Sequence, residues 1–327
     1  MTKIVVAHGF GLADEALAAM KDVAQVTILQ DASEEALLAE LRDASTLLVS
    51  IRPPVTRRFI ESADRLKHIA RLGVGVDTVD LKAATERGIF VTNVPEVTSD
   101  SVAEFTMTLL LSLAKNIIRC DRAVKEGRWA AERIGLIHEN IELSGKTHGI
   151  VGMGNIGRRV AIRCRAFGMR VLYYKRHRDP ESEQSLGVEY TPLETLIRES
   201  DSISLHLPLT NETTNLIDKS RLESMKKTAF LINQARGKVV DEEALVWALR
   251  EGRIGGYATD VYASEPPDPK SELFRFKNVV AAPHLGGGTR EARLRANMTV
   301  AEEVLRIIRG ELPKNLVNRG VLERIVR

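Results

Sequence analysis

The sequence predicts an α/β protein built on parallel sheets, and three observations support this fold class. Short apolar runs alternate with helical patterns along the chain, which is the spacing of βαβ units. The 327 residues are enough for two domains with separate cores. In residues 146–174 an apolar run, a glycine-rich turn, a helical pattern and a second apolar run follow one another directly.

The first hundred residues contain five apolar runs separated by helical stretches, which predicts a parallel sheet. Ser33 and Asp80 stand directly before two of these stretches, where a helix N-cap is expected. The predicted strands are residues 3–7, 26–29, 46–50, 68–71 and 89–92, and the predicted helices are residues 14–22, 34–43, 56–64 and 81–87.

The longest helical pattern covers residues 99–126, with an apolar stripe that includes Phe105 and Leu109. Gly127 ends it, and residues 128–143 are expected to be irregular. A helix of this length suits a bridge between domains or a subunit contact, and it equally suits a plain core helix.

A glycine-rich turn follows the next apolar run and fits the pattern G-x-G-x-x-G. Gly152 permits a tight turn, Gly154 lets a pyrophosphate approach the backbone, and Gly157 lets helix and strand pack closely. Asn155 and Ile156 open the helix, whose amides would face the phosphates. The context favours a dinucleotide site, and a glycine-rich packing turn is the alternative.

The alternation of strands and helices resumes after this turn, so a second parallel sheet is predicted. The predicted strands of this part are residues 147–151, 169–174, 202–207, 228–233, 255–260 and 278–281, and the predicted helices are residues 193–200, 219–224, 241–251 and 289–309.

Composition excludes several classes of protein. Lys and Arg number 47 against 44 Asp and Glu, a balance that does not suit electrostatic nucleic-acid binding. No stretch reaches the about 20 apolar residues of a membrane span, and the N-terminus is predicted to be a strand, not a signal peptide. Cys120 and Cys164 show no metal-ligand spacing, so no metal site is predicted, and buried or semi-buried thiols in a reducing cytoplasm are expected instead of a disulfide.

Three chemically distinct side chains follow three successive strands of the second sheet. Arg236, Glu265 and His284 come after the strands that end near residues 233, 260 and 281. Taken alone, Arg236 suits a surface ion pair, Glu265 a solvated carboxylate and His284 an ordinary loop residue. Because ligands of open parallel sheets bind at the carboxyl ends of the strands, the three together suggest an acid–base site.

Eight motifs, in this order along the chain, resemble the D-isomer-specific 2-hydroxyacid dehydrogenase family. They are LGVGVD at residues 72–77, TNVP at 92–95, SVAE at 101–104, the glycine turn, HLPLT at 206–210, NQARG at 233–237, DVYASEP at 260–266 and PHLGG at 283–287.

The resemblance implies two doubly wound domains. A Rossmann cofactor domain is expected at residues 101–289, and a flavodoxin-like, discontinuous substrate domain at residues 1–100 and 290–327. It also implies a homodimer joined through the cofactor domain, with the long helix and the loop around Trp129 crossing to the partner. Trp129 equally suits an anchor for its own loop.

By motif match, Arg236, Glu265 and His284 occupy the catalytic positions of the family. Arg236 would hold the carboxylate of a 2-oxo acid and polarise its carbonyl. His284 would exchange the proton, and Glu265 would favour the imidazolium and raise its pKa.

The resemblance assigns further residues to binding. The backbone amides of Val74 and Gly75 are expected to hold the substrate carboxylate. Arg52 is either a second cation at the substrate or a surface residue, and Glu104 matches a family position without a clear role. The cofactor-binding residues are expected to be Gly152, Gly154, Asn155, Ile156, Gly157, Lys175, Arg176, His206, Pro208, Thr213, Ala235, Asp260 and Gly286.

The residues after the second strand of the cofactor domain favour NADPH over NADH. NAD users carry an acid there to bind the ribose 2′-hydroxyl, and this chain has Lys175 instead. Lys175, Arg176 and Arg178 would attract a 2′-phosphate. The alternatives are a solvated basic turn or Asp179 folding back to the ribose.

The expected activity is reduction of a small 2-oxo acid, of the glyoxylate, hydroxypyruvate or 2-ketogluconate reductase type. A phosphoglycerate-type enzyme is less expected because no extra regulatory domain follows residue 327, and Glu265 disfavours a formate dehydrogenase. A phosphite-oxidising enzyme and a non-enzymatic, corepressor-like NAD(H) sensor remain alternatives.

Overall fold

The computed structural model describes residues 2–7, 11–30, 33–50 and 52–325. They form two compact units, Met1–Thr98 with Gly288–Arg327, and Ser99–Gly287. Each unit has one parallel sheet covered by helices, so the predicted α/β class with two doubly wound sheets is confirmed. The expected outer domain limits, residues 1 and 327, lie outside the described residues.

The strands are β1 (Lys3–Val6), β2 (Gln25–Ile28), β3 (Thr46–Val49), β4 (His68–Arg71), β5 (Phe90–Thr92), β6 (Thr147–Val151), β7 (Arg170–Tyr174), β8 (Glu189–Tyr190), β9 (Ser202–Leu205), β10 (Phe230–Asn233), β11 (Gly256–Thr259) and β12 (Val279–Ala281). The α-helices are α1 (Asp14–Lys21), α2 (Glu34–Leu41), α3 (Arg57–Ser62), α4 (Leu81–Glu86), α5 (Ser99–Ala114), α6 (Ile117–Lys125), α7 (Trp129–Glu139), α8 (Asn155–Ala166), α9 (Pro180–Leu186), α10 (Leu193–Glu199), α11 (Lys219–Ser224), α12 (Glu242–Arg250), α13 (Arg290–Ile308) and α14 (Leu322–Ile325).

The first unit has the flavodoxin-like strand order β2-β1-β3-β4-β5, with every pair parallel. β3 and β4 are buried along their whole length because helices cover both faces of the sheet. The expected N-caps are confirmed: Ser33 Oγ accepts from the Ala36 amide at 3.4 Å, and Asp80 Oδ1 accepts from the Ala83 amide at 2.8 Å.

The second unit has the order β12-β11-β10-β9-β6-β7-β8, again with every pair parallel. Chain order reverses between β6 and β9, which is the switch point where doubly wound sheets bind nucleotides. A separate apolar core lies on each face of the sheet. The loops that follow β6, β7, β9, β10, β11 and β12 therefore share one edge.

The single long helix expected over residues 99–126 is wrong, because the chain forms α5 and α6 with a bend of 61°. Asn116 takes the left-handed conformation (φ 48°), which asparagine tolerates better than most residues. The Ala114 carbonyl accepts from the Ile141 amide at 2.9 Å instead of continuing the helix. Among the described residues, no single helix is long and apolar enough to span a membrane, and α5 and α6 reach that length and composition only as this bent pair.

The expectation that residues 128–143 are irregular is also wrong, because α7 occupies most of them. Only Leu136 of this helix is buried, so its apolar residues do not form a stripe that faces a core. Arg128 pairs with Glu132 one turn on, and alanines 130 and 131 are strong helix formers. The ion pair and the alanines offset the loss of helix stability that the single glycine at residue 135 causes.

Candidate active site

The three expected catalytic side chains lie at one edge of the second sheet. Arg236 follows β10, Glu265 lies in the loop after β11, and His284 follows β12. Because these strands are adjacent and parallel, their carboxyl ends bring the three loops side by side.

His284 and Glu265 form a direct hydrogen-bonded pair. Nδ1 of His284 lies 2.7 Å from Oε2 of Glu265, and Oε1 accepts from the Tyr262 amide at 3.1 Å. The carboxylate bond raises the pKa of His284 above its ordinary value, against the opposing effect of burial. Among the described residues, Nε2 of His284 has no protein partner, so this nitrogen is the one able to exchange a proton with a ligand.

Glu265 is held in its ionised form. Burial alone would raise its pKa, but the hydrogen bonds from His284 and from the Tyr262 amide outweigh burial and lower it. The pair therefore consists of an anionic carboxylate and an imidazole that is readily protonated.

The loop that carries Arg236 is fixed by backbone contacts. The buried Asn233 donates from Nδ2 to the Arg236 carbonyl at 2.9 Å and accepts at Oδ1 from the Ala235 amide at 3.0 Å. A Cβ on Gly237 would lie 2.0 Å from the carbonyl carbon of Tyr262, so only glycine allows this loop to lie against the next one. The sequence motif contained Asn233, but its bracing role was missed.

The positive charge of Arg236 reaches the His284–Glu265 pair. It lowers the pKa of both groups, though less than their mutual bond affects either one. The guanidinium is half-buried, and its Nη1 donates to the Ala235 carbonyl at 2.7 Å. Arg236, Glu265 and His284 are therefore close enough for the charge on one residue to affect the pKa of another.

The glycine turn fits the phosphates of a dinucleotide. Gly152 has φ 103°, and a Cβ there would lie 2.3 Å from the His206 carbonyl oxygen, while one on Gly157 would lie 2.3 Å from the Gly152 oxygen. Gly154 differs, because a Cβ built on it meets no described protein atom within 4 Å. Its φ of −93° does not require glycine either. The space beside Gly154, at the uncapped start of α8, therefore suits a ligand that accepts from backbone amides.

At the end of β7, Asp179 is already occupied by protein groups. Its Oδ2 accepts from Arg158 Nη2 at 2.7 Å and from Ser182 Oγ at 3.0 Å, and Lys175 Nζ lies 3.5 Å away. The bond from Arg158 lowers the pKa of Asp179 well below its usual range. Arg158 is a further basic residue at this turn that sequence reasoning missed.

The other two basic residues of this turn make separate ion pairs. Arg176 Nη2 lies 2.6 Å from Glu212 Oε2, and both side chains are exposed. Arg178 is bound at 2.7 Å by Glu183 of α9, which directs it toward that helix. Helix α9 and the short strand β8 were not predicted, and Asp179 caps α9 through the Ser182 amide.

The remaining expected cofactor residues occupy the same edge of this sheet. Burial lowers the pKa of His206 to about 3, and its Nε2 lies 2.9 Å from Ser204 Oγ, so the ring is neutral. The Thr213 hydroxyl donates to the Pro208 carbonyl at 2.7 Å and thereby closes the loop after β9. Oδ2 of Asp260 accepts from the Gly286 amide at 2.7 Å, which ties the end of β11 to the loop after β12.

The expected substrate-binding residues Val74, Gly75 and Arg52 belong to the first unit. Val74 is exposed after β4, and its carbonyl accepts from Asn93 Nδ2 at 2.7 Å. Arg52 follows β3 and is exposed. Glu104, in the second unit, pairs with Arg163 at 3.2 Å, which gives it a structural role on α5.

A glycine turn at the switch point of a parallel sheet, with an acid–base pair at the same edge of that sheet, is typical of an oxidoreductase that uses a nicotinamide dinucleotide. Residues 107–286 match the family model described as D-isomer specific 2-hydroxyacid dehydrogenase, NAD binding domain. The chain belongs to this family.

Three relatives illustrate the range of the family. A glyoxylate reductase of Aeropyrum pernix is 47% identical over 292 residues, which cover 88% of this chain and 87% of that protein. The NADPH-dependent glyoxylate/hydroxypyruvate reductase of Sinorhizobium meliloti is 28% identical with a TM-score of 0.84, over 97% of this chain and 98% of that one. The NAD-dependent formate dehydrogenase of Staphylococcus aureus is 32% identical with a TM-score of 0.84, over 97% and 99%.

Proposed function

We propose that this enzyme reduces a small 2-oxo acid, of the size of glyoxylate or hydroxypyruvate, to the D-2-hydroxy acid. The observation that carries the proposal is the 2.7 Å bond between His284 and Glu265 in the field of Arg236. It provides a proton donor and a cation, which are the two groups that a ketone next to a carboxylate requires. The similarity to glyoxylate reductases at 43–47% identity supports the substrate class.

The chain's residues take distinct parts in this reduction. The bound dinucleotide supplies the hydride. Arg236 binds the substrate carboxylate and stabilises the negative charge that grows on the carbonyl oxygen. Nε2 of His284 then gives its proton to that oxygen, while Glu265 stabilises the imidazolium beforehand. The backbone amides of Val74 and Gly75 are proposed as further donors to the substrate carboxylate.

The direct test is turnover with a panel of 2-oxo acids. Consumption of NADPH and of NADH is followed with glyoxylate, hydroxypyruvate, pyruvate and 2-ketogluconate as substrates. We expect the smallest substrates to give the highest kcat/KM. Binding of either dinucleotide without turnover of any of the four acids would contradict the proposed reaction.

The proposal includes a preference for NADPH. β7 is followed by Lys175, where an acid would bind the ribose 2′-hydroxyl. The carboxylate of Asp179 is engaged by Arg158 and Ser182, and Arg176 adds positive charge at the same turn. A 2′-phosphate would therefore meet cations. Specificity constants for the two cofactors test this, and a clear preference for NADH would contradict it.

We also propose a homodimer that buries α6 and α7. Large apolar side chains on these two helices are exposed, and such a patch is typical of a protein interface. They include Ile117 (54%), Val124 (56%), Trp129 (61%), Ile134 (58%) and Ile137 (53%). Light scattering should give twice the chain mass of 36.2 kDa. A mass of one chain would rule the dimer out.

A further inference from the structure

The hydroxyl of Tyr262 joins the loop after β11 to the loop that carries His284. It donates to the Ala282 carbonyl at 2.8 Å. The same carbonyl accepts from the backbone amide of His284 at 3.1 Å, and a bond across only two residues is that of a γ-turn. Tyr262 therefore holds the carbonyl to which the backbone of His284 is bonded.

The backbone of Tyr262 holds the carboxylate partner of His284. Its amide donates to Glu265 Oε1 at 3.1 Å, and Glu265 Oε2 lies 2.7 Å from His284 Nδ1. One residue thus fixes both members of the pair, the imidazole through the Ala282 carbonyl and the carboxylate through the amide. A connected set of hydrogen bonds of this kind rigidifies the groups that it joins.

The backbone of His284 needs such support. Its φ is 52°, in the left-handed region that is rare for a residue with a side chain. A residue in this conformation costs free energy and persists only where the surrounding contacts fix it. The Ala282 amide is already tied to the Thr259 carbonyl at 2.9 Å, and Tyr262 fixes the carbonyl side of the same residue.

The ring of Tyr262 is itself held in place. It packs edge-on against Phe274, with ring centroids 5.9 Å apart and an angle of 68° between the ring planes. The residue is partly buried, and burial raises the pKa of its hydroxyl above the usual value. The hydroxyl therefore keeps its proton at neutral pH and remains a donor. A phenylalanine at this position would keep the ring contact and lose the bond to Ala282.

We propose that Tyr262 is a positioning residue of the reduction, because its hydroxyl holds the backbone of His284 in the conformation that directs Nδ1 to Glu265 and leaves Nε2 for the substrate. This role rests on the proposed function, in which His284 is the proton donor. Without the hydroxyl, the backbone of His284 can relax from its strained conformation, and the ring then moves away from Glu265. A small displacement of a reacting group lowers the rate without changing the affinity for the dinucleotide.

Tyr262→Phe tests the role of the hydroxyl. We expect it to lower kcat for reduction about 10-fold, the scale of a lost hydrogen bond, and to leave the Kd of NADPH and of NADH in calorimetry unchanged. Tyr190→Phe is the matched control and should keep the wild-type kcat. Tyr190 also packs edge-on against another ring, that of Tyr173 at 5.5 Å, but it lies on β8 at the far edge of the sheet. A kcat near the wild type for Tyr262→Phe would overturn the proposal.

The pH dependence distinguishes positioning from a general loss of structure. The charged groups near His284 are Glu265, Asp260 and Arg236, and Tyr262→Phe leaves all three in place. If the imidazole moves away from Glu265, the bond that raises its pKa weakens. The rate of reduction should then begin to fall at lower pH than in the wild type, though by less than in Glu265→Gln. A lower Tm with an unchanged alkaline limb would mean that the hydroxyl only stabilises the fold, which overturns the proposal.

A double-mutant cycle tests whether the hydroxyl acts through His284. In the His284→Ala background, Tyr262→Phe should have no further effect on the residual rate, whereas two independent effects would multiply. The same loss in both backgrounds would show that Tyr262 acts independently of His284, against the proposed role.

The pKa of His284 can also be measured without turnover. An NMR titration follows the imidazole signal that is absent from His284→Ala. If the wild type reduces none of the four 2-oxo acids, the proposed reaction fails, while a lower pKa of His284 in Tyr262→Phe still supports the positioning role. Equal pKa values in the two proteins would overturn it.

Discussion

Opposing effects act on the imidazole of His284. The bond to Glu265 raises its pKa and the charge of Asp260 adds to the rise, whereas burial and the charge of Arg236 lower it, so the net upward shift is smaller than the carboxylates alone would give. This balance suits a group that must give up a proton in one direction of the reaction and take it back in the other. The sequence identified the three residue types, but which groups raise or lower the pKa of His284, and which effect is largest, follows only from the structure.

At the scale of single residues, the first prediction concerns His284 as the proton donor and Arg236 as the cation. His284→Ala and Arg236→Ala should each lower kcat/KM for reduction at least about 100-fold, the scale of a lost general acid or charge stabiliser. Arg250→Ala is the control, because Arg250 is an exposed arginine of α12 that pairs with Glu272 at 2.7 Å. Rates near the wild type for either site variant would refute the assignment.

A second prediction concerns the pH dependence. Reduction requires protonated His284, so its rate falls as the pH rises through the pKa of this group. Of the two negative charges that raise this pKa, Glu265→Gln removes the one with the larger effect, and the fall in rate should therefore begin at lower pH than in the wild type. Full kcat and kcat/KM profiles measure the shift. An unchanged alkaline limb would show that another group controls it.

At the scale of structural elements, the glycines of the second unit serve two purposes. Gly152 and Gly157 pack the turn after β6, and Gly237 lets the loop after β10 lie against its neighbour. Gly154 makes no such contact. The sequence pattern already predicts different roles for Gly152, Gly154 and Gly157, and the distances to a side chain built at each position agree with that difference.

This difference gives a third prediction. Gly154→Ala should leave the free energy of unfolding unchanged or slightly higher, because the added Cβ meets no described protein atom and the backbone has an ordinary φ. The same methyl group occupies the space proposed for the pyrophosphate, so dinucleotide affinity should fall about 10-fold or more. Gly135→Ala in α7 is the control, since it also meets open space and should keep affinity. Equal dinucleotide affinity for both variants would contradict a pyrophosphate site beside Gly154.

The helices and strands were predictable where the core leaves an apolar pattern in the sequence. The strands follow from apolar runs, because parallel strands are covered on both faces. The break between α5 and α6 depends on the conformation of Asn116, and α7 buries only Leu136, so neither follows from burial against a core. In the site, the motif carries Arg236, Glu265 and His284, but the bond from the Tyr262 hydroxyl to the Ala282 carbonyl is evident only when the two loops are placed.

At the scale of the whole molecule, each unit buries a neutral histidine within its sheet. His68 lies in β4 with Nε2 2.8 Å from Thr92 Oγ1, and His148 lies in β6 between the hydroxyls of Ser202 and Ser204. Both are fully buried, and burial lowers the pKa of each to about 3. Neither residue belongs to the proposed site, so their effect should be on stability.

These histidines predict that the enzyme loses stability as the pH falls from about 6.5 toward 3. The unfolded chain binds protons at His68 and His148 in this range while the folded chain does not, so each lowers the free energy of unfolding by up to about 1.4 kcal/mol per pH unit. Urea unfolding between pH 5 and 6.5, where most carboxylates stay ionised, measures this slope, to which the neutral His206 adds in the same direction. His148→Gln should remove its share of the slope even if it lowers stability overall, whereas the exposed His138→Gln should retain the slope. An unchanged slope in His148→Gln would mean that His148 is protonated in the folded enzyme.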